Sequence, residues 1–170
     1  VDSGGSLFTN DITVRCQFIR TGDKGDTGTT GAGAGLEMTF ESTTTDTDQG
    51  AGKVWLNNGT ASSATVLYMD DVDANAANIN SLVDSWDDST NFNLRGTIIV
   101  KKQLAPENYH IYNVTGAVTS ASTYSKIAVS HVVSAGTISD THAVDVQFVR
   151  SGDRGSNAGL DMLWDSDTSD

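Results

Sequence analysis

Apolar and polar residues alternate with a period of two along most of the chain beyond residue 35. Such alternation places successive side chains on opposite faces of an extended segment, which is typical of a half-buried β-strand. About seven or eight strands separated by turn residues predict a mainly β, antiparallel β-sandwich. The segments with this pattern are 36–41, 53–57, 65–70, 97–102, 109–115, 125–133 and 144–148.

One stretch between these segments has helical spacing instead. Its apolar residues fall three or four positions apart, so they would lie on one face of a helix. Asp and Asn residues precede them and can cap a helix N-terminus. We therefore predict one short helix over an end or a face of the sheets, formed around Ala76, Ile79, Leu82, Val83 and Trp86.

The chain also repeats itself. Residues 17–25 (QFIRTGDKG) recur as residues 147–155 (QFVRSGDRG), with six of the nine positions identical. Residues 34–38 recur as residues 158–162, and the offset falls from 130 to 124 because the first copy has six extra residues in a Gly-rich stretch. Similarity at a fixed spacing indicates a tandem array of modules.

The repeat divides the 170 residues into five segments. Only one of them is long enough to be a complete β module. The segments are the C-terminal part of a preceding repeat (1–20), a collagen-like linker (21–35), a complete repeat (36–150), a short linker (151–159) and the start of the next repeat (160–170).

Glycine occupies every third position at four consecutive points of the first linker. This is the collagen period, in which only glycine fits on the crowded axis of three wound chains. The linker contains no proline, so a flexible Gly/Thr connector remains the alternative. The candidate trimer and linker residues are Gly22, Lys24, Gly25, Asp26, Gly28 and Gly31.

Charge and composition exclude several classes of partner. The chain carries 22 acidic against 10 basic side chains, a net charge of −12, which disfavours binding to nucleic acid or to an anionic membrane. No apolar run approaches the roughly 20 residues of a membrane helix. The one cysteine, Cys16, occupies the position that Val146 has in the later copy, so we interpret it as a small core residue.

Residues that would support catalysis or metal binding are sparse. His110, His131 and His142 lack the spacing of a metal site, and we find no nucleophile elbow or phosphate-binding loop. Residues 70–73 (DDVD) could bind Ca²⁺, but an acidic turn before the helix is the favoured interpretation. We therefore predict no catalytic residue, no cofactor and no metal, and hence no enzyme.

Several stretches together resemble the repeat units of phage fibre proteins, as found in phages and prophages of alphaproteobacteria. The resemblance covers nearly the whole chain, and it implies a trimer with collagen-like Gly-X-Y connectors, located in the virion, without catalytic residues. The stretches are residues 146–155, 56–58, 64–66, 86–90, 95–97, 114–117 and 131–136.

Two functions follow as expectations. The first is a structural module of a trimeric virion fibre (tail, collar or neck) that supplies length, stiffness and reach to the host surface. Its partners would be further copies of itself and other fibre or tail proteins. The alternative is a module of a phage fibre or bacterial adhesin that binds host glycan.

The trimer of the first function needs an apolar contact face. The candidates are aromatic residues, for most of which burial inside the module is the favoured interpretation. They are Trp55, Tyr68, Tyr109, Tyr112 and Tyr124.

Overall fold

The structure is a computed structural model that describes residues 35–153. These residues contain the complete repeat predicted from the sequence. The neighbouring repeat fragments, most of both linkers, Cys16 and the candidate linker residues lie outside the described residues. Those linker residues are Gly22, Lys24, Gly25, Asp26, Gly28 and Gly31.

The described residues form seven β-strands and one short α-helix. The predicted strand segments all reappear, most with ends shifted by a few residues. The elements are β1 (Leu36–Glu41), β2 (Lys53–Leu56), β3 (Val66–Asp70), α1 (Asn80–Asp84), β4 (Gly96–Lys102), β5 (Tyr109–Ser120), β6 (Tyr124–Ala135) and β7 (Ala143–Arg150).

The seven strands form one closed barrel in the order β1-β2-β3-β6-β5-β4-β7. Neighbours are antiparallel except β1 and β2, which are parallel. The prediction of a β-sandwich was therefore wrong, although the mainly β class is confirmed. The difference arises because β1 pairs with β7, from Leu36 opposite Val146 to Thr39 opposite Ala143. This pairing joins the first and last strands of the module, so none of the seven described strands is an edge strand along its whole length.

The barrel interior is filled by every second residue of the strands. Tyr112 is fully buried there, and its hydroxyl donates to the Ala61 carbonyl at 3.0 Å. Because the interior is apolar and closely packed, burial supplies most of the stabilisation. Further interior residues are Met38, Phe40, Val54, Leu56, Leu67, Met69, Ile98, Val100, Val114, Ile127, Val129, Val144 and Val146.

The helix closes one end of the barrel and is shorter than its sequence pattern predicted. Ile79, Val83 and Trp86 belong to the core, and the Trp86 ring stacks on Phe148 with centroids 4.8 Å apart. Ala76 lies outside the helix at a φ of 64°. The prediction of one helix over an end of the sheets is thus confirmed, with a later start.

A second cluster, of aromatic residues, lies on the outside of the barrel. Trp55, Tyr68 and Tyr124 stand on neighbouring strands with ring centroids 5.3 to 6.1 Å apart. All three are buried because the loop of residues 42–52, here called the crossover loop, is bonded over them. The Trp55 indole donates to the Thr45 carbonyl at 2.9 Å.

Two carboxylates fix the crossover loop to the barrel. Asp46 accepts from the Tyr124 hydroxyl at 2.7 Å and from the Lys126 ammonium at 2.6 Å, and these bonds hold its pKa below the usual value. Asp48 accepts from the Thr123 hydroxyl at 2.6 Å. The loop thereby connects the parallel strands β1 and β2 while covering the outer aromatic cluster.

Gly52, at the end of the crossover loop, is expected to tolerate a side chain less well than Gly50. Both have positive φ values, +73° and +91°, which cost an L-residue about 1–2 kcal/mol. A Cβ at Gly52 would also lie 2.8 Å from the Ala74 Cα, whereas one at Gly50 meets nothing within 4 Å. Urea unfolding should therefore show a loss of about 1 kcal/mol for Gly50→Ala and about 2–4 kcal/mol for Gly52→Ala. Equal losses would contradict this account of the loop.

Candidate functional site

The chain enters and leaves the barrel at the same end. β1 begins at Leu36, opposite Val146 of the antiparallel strand β7. β7 continues for four residues to Arg150, or ~14 Å at the rise of an antiparallel strand. We call this the terminal end and the opposite one the distal end.

The terminal end carries an apolar groove of about 580 Å³, here called the terminal groove. Trp86 and Phe148 form its aromatic part, and Leu82 and Val149 line it with half or more of their surface exposed, 50% and 59%. Gly96, which pairs with Arg150 of β7, matters here, because a Cβ at that position would collide with the Phe148 ring. The lining residues are Gly35, Leu36, Leu82, Ser85, Trp86, Val146, Gln147, Phe148, Val149 and Arg150.

Hydrogen bonds fix the departing chain to the segment after the helix. Arg150 donates to the Asp88 carbonyl at 2.8 Å, and the Thr90 amide donates to the Asp153 carboxylate at 3.1 Å. These bonds hold Arg150, which lines the terminal groove, and the chain that follows it against the segment after the helix.

The distal end holds a smaller cavity of about 210 Å³, here called the distal cavity. Its floor is apolar, and its walls carry hydroxyl, amide, carboxylate and imidazole groups. No lysine or arginine lines it. The lining residues are Phe40, Glu41, Ser42, Thr43, Leu56, Asn58, Gly59, Ala61, His110, Gly136, Thr137 and Ile138.

His110 is the buried polar side chain of the distal cavity. Its Nδ1 lies 2.9 Å from the Ser134 hydroxyl, which is also 2.8 Å from Nε2 of His131. Burial, and secondarily the nearby His131, lower the pKa of His110, so the imidazole is neutral at pH 7. Both histidines thus share one serine hydroxyl, a contact that the sequence spacing did not reveal.

The acidic run at residues 70–73 forms local turns. Asp70 accepts from the Val72 amide at 2.9 Å, and Asp73 accepts from the amides of Asn75 and Ala77. This agrees with the interpretation as an acidic turn. Within residues 35–153, no group of three or more His, Cys, Asp or Glu side chains is arranged to hold a metal ion.

The aromatic candidates for a trimer face belong mostly to the module itself. Four of the five, Trp55, Tyr68, Tyr112 and Tyr124, are buried within the barrel or under the crossover loop, as the favoured interpretation predicted; Tyr109 is half-buried. The exposed apolar residues of the terminal groove were not singled out by sequence. Leu82 belongs to the predicted apolar helix pattern, but its side chain faces outward and is 50% exposed.

None of the helices among residues 35–153 has the length and apolar character to cross a membrane.

Comparisons with known proteins add no evidence on function, so the surfaces described above are the basis for proposing one. Searches against protein-family models, curated proteins and solved structures find no match to the chain.

His110 is expected to make the barrel less stable in mild acid. Its folded-state pKa is below the 6.5 of a free imidazole, so the unfolded chain binds more protons as the pH falls through 6.5. Urea unfolding at pH 7.5 and 5.5 should show a loss for the wild type that is smaller in His110→Gln. An identical loss in the wild type and in His110→Gln would contradict the assignment to His110.

Proposed function

We propose that the chain is a non-enzymatic structural module of a trimeric virion fibre, of the tail, collar or neck. Its partners would be two further copies of itself and other fibre or tail proteins. The support is the internal repeat together with the three-residue glycine period of the linker between repeats, a period that suits three wound chains.

One observation carries this proposal. The repeated motif at residues 147–155 begins inside β7 and ends just after β7 leaves the barrel at Arg150. The strands of the barrel run from Leu36 to Arg150, which supports taking residues 36–150 as the repeating unit. This is the arrangement expected when whole barrels alternate with connectors in a tandem array.

The shared terminal end bears on how such a module serves a fibre. Because the chain enters and leaves side by side, the barrel adds little of its own length along the connectors. We infer that it projects sideways from the fibre axis, with its distal end outward. This arrangement favours reach and display of a surface as what the module contributes to the fibre, rather than length along the fibre axis.

The full 170-residue chain is expected to form a trimer. Light scattering coupled to size exclusion should give a mass near three times 17.9 kDa. A monomer at concentrations well above micromolar would refute the proposed fibre trimer.

The collagen-like linker is expected to contribute to that trimer. Replacing Gly25 and Gly28 by Ala places side chains on the crowded axis and should weaken association at least 10-fold in sedimentation equilibrium. Replacing Thr27 and Thr29 by Ala is the matched control, since these positions face outward in a triple helix. Equal dissociation constants for the two double variants would indicate a flexible connector instead.

The distal cavity favours a second candidate function, binding of host glycan. Its neutral hydroxyl, amide and imidazole groups over an apolar floor match the alternating polar and apolar faces of a sugar. The absence of lysine and arginine from its lining disfavours an anionic ligand. The volume suits about one sugar ring.

A glycan array probed with the soluble chain tests this second function. Gly59→Gln should abolish selective binding, because Gly59 lines the cavity and has open space for a side chain. Gly152→Gln, equally unhindered but at the terminal end, should leave it intact. Equal binding by both variants, or none by the wild type, would exclude the distal cavity as a glycan site.

A further inference from the structure

We propose that the terminal groove is the surface through which copies of this chain contact one another, so its occupant is the terminal end of a neighbouring copy. The inference rests on the trimer proposed above and names the surface that forms it. The groove takes the place of the aromatic residues that the sequence suggested as the trimer face, four of which are buried inside the module.

The position of the groove is the first argument. Gly35, which lines it, is the last residue of the predicted collagen-like linker (21–35). Three chains wound together in that linker would bring three terminal ends to one axis. The distal ends would lie a barrel's length away and could not meet.

The exposed apolar residues give the second argument. Leu82 and Val149, which both line the groove, are each at least half exposed. Apolar surface gathered at one place typically marks a contact site.

The charge of the groove gives the third argument. Copies that each carry a net charge of −12 repel one another, so contact costs least where carboxylates are absent. Among the described residues, Arg150 is the one charged residue that lines the groove, and the Asp153 carboxylate lies 3.5 Å from its guanidinium. The distal cavity, by contrast, includes Glu41.

The groove alone is small for a stable interface, and the linker makes up the difference. Once three linkers are joined, the terminal ends are held at a high effective concentration. A modest apolar contact then suffices to hold the trimer. The groove and the linker should therefore act together.

Charged substitutions in the groove test the proposal. In the full chain, the double variant Leu82→Asp/Val149→Asp should raise the trimer dissociation constant at least 10-fold in sedimentation equilibrium. The matched control is Leu104→Asp/Val132→Asp, since Leu104 is 87% exposed and Val132 50% exposed, both away from the groove. This control should associate like the wild type.

The outcomes separate the two proposals. A monomeric wild type would overturn the trimer and the groove contact together. A wild-type trimer that the groove variant leaves intact, or that the control weakens equally, would overturn the groove contact alone.

A distance measurement guards against misfolding of the double variant. Nitroxide labels at Val149→Cys or Leu104→Cys, each in a Cys16→Ser background, report the spacing between copies by pulsed electron resonance. The spacing should be shorter at position 149 than at position 104. A shorter spacing at position 104 would place the contact at the distal end and overturn the proposal.

Discussion

The antiparallel pairing of β1 with β7 is the contact on which the rest of the fold depends. It closes the sheet into a barrel, so none of the described strands is an edge strand along its whole length. It also encloses the apolar interior on all sides, which a sandwich of the same strands would leave open at its edges. Finally, it places the two ends of the module next to each other, and the proposed fibre module and groove contact both use that position.

Closure of the sheet in this strand order requires β1 and β2 to run parallel, and a parallel pair needs a longer connection than a hairpin. Parallel neighbours cannot be joined by a tight hairpin, so residues 42–52 must cross outside the barrel. The crossing is stabilised by covering Trp55, Tyr68 and Tyr124, and by the bonds of Asp46 and Asp48. A loop required by topology thus becomes a second layer of the fold.

The strands were predictable from sequence because alternation is a local property. Their partners were not, since the pairing of Leu36 with Val146 depends on residues more than a hundred positions apart. The irregular register between Val114 and Val118 interrupts the alternation and explains why β5 continues beyond its predicted end. The helix was overpredicted because spacing alone does not reveal the positive φ of Ala76.

The candidate surfaces, like the strand pairing, were only partly predictable from the sequence. The motif at residues 147–155 was visible in the sequence, and it marks where the chain leaves the barrel. The terminal groove was not visible, because its helix residue Leu82 and its strand residue Val149 are far apart in the sequence and come together only in the folded chain. The distal cavity likewise combines four separate loops and strand ends.

Adjacent chain ends also determine how the module responds to force. Tension between the two connectors pulls β1 and β7 apart from the same end, so their hydrogen bonds open one after another rather than all together. Such unzipping needs less force than shearing two strands along their length. A module of residues 36–150 that opens in this way would release roughly 400 Å of extended chain. In the proposed tandem array, each barrel would therefore release length under tension before the connectors break.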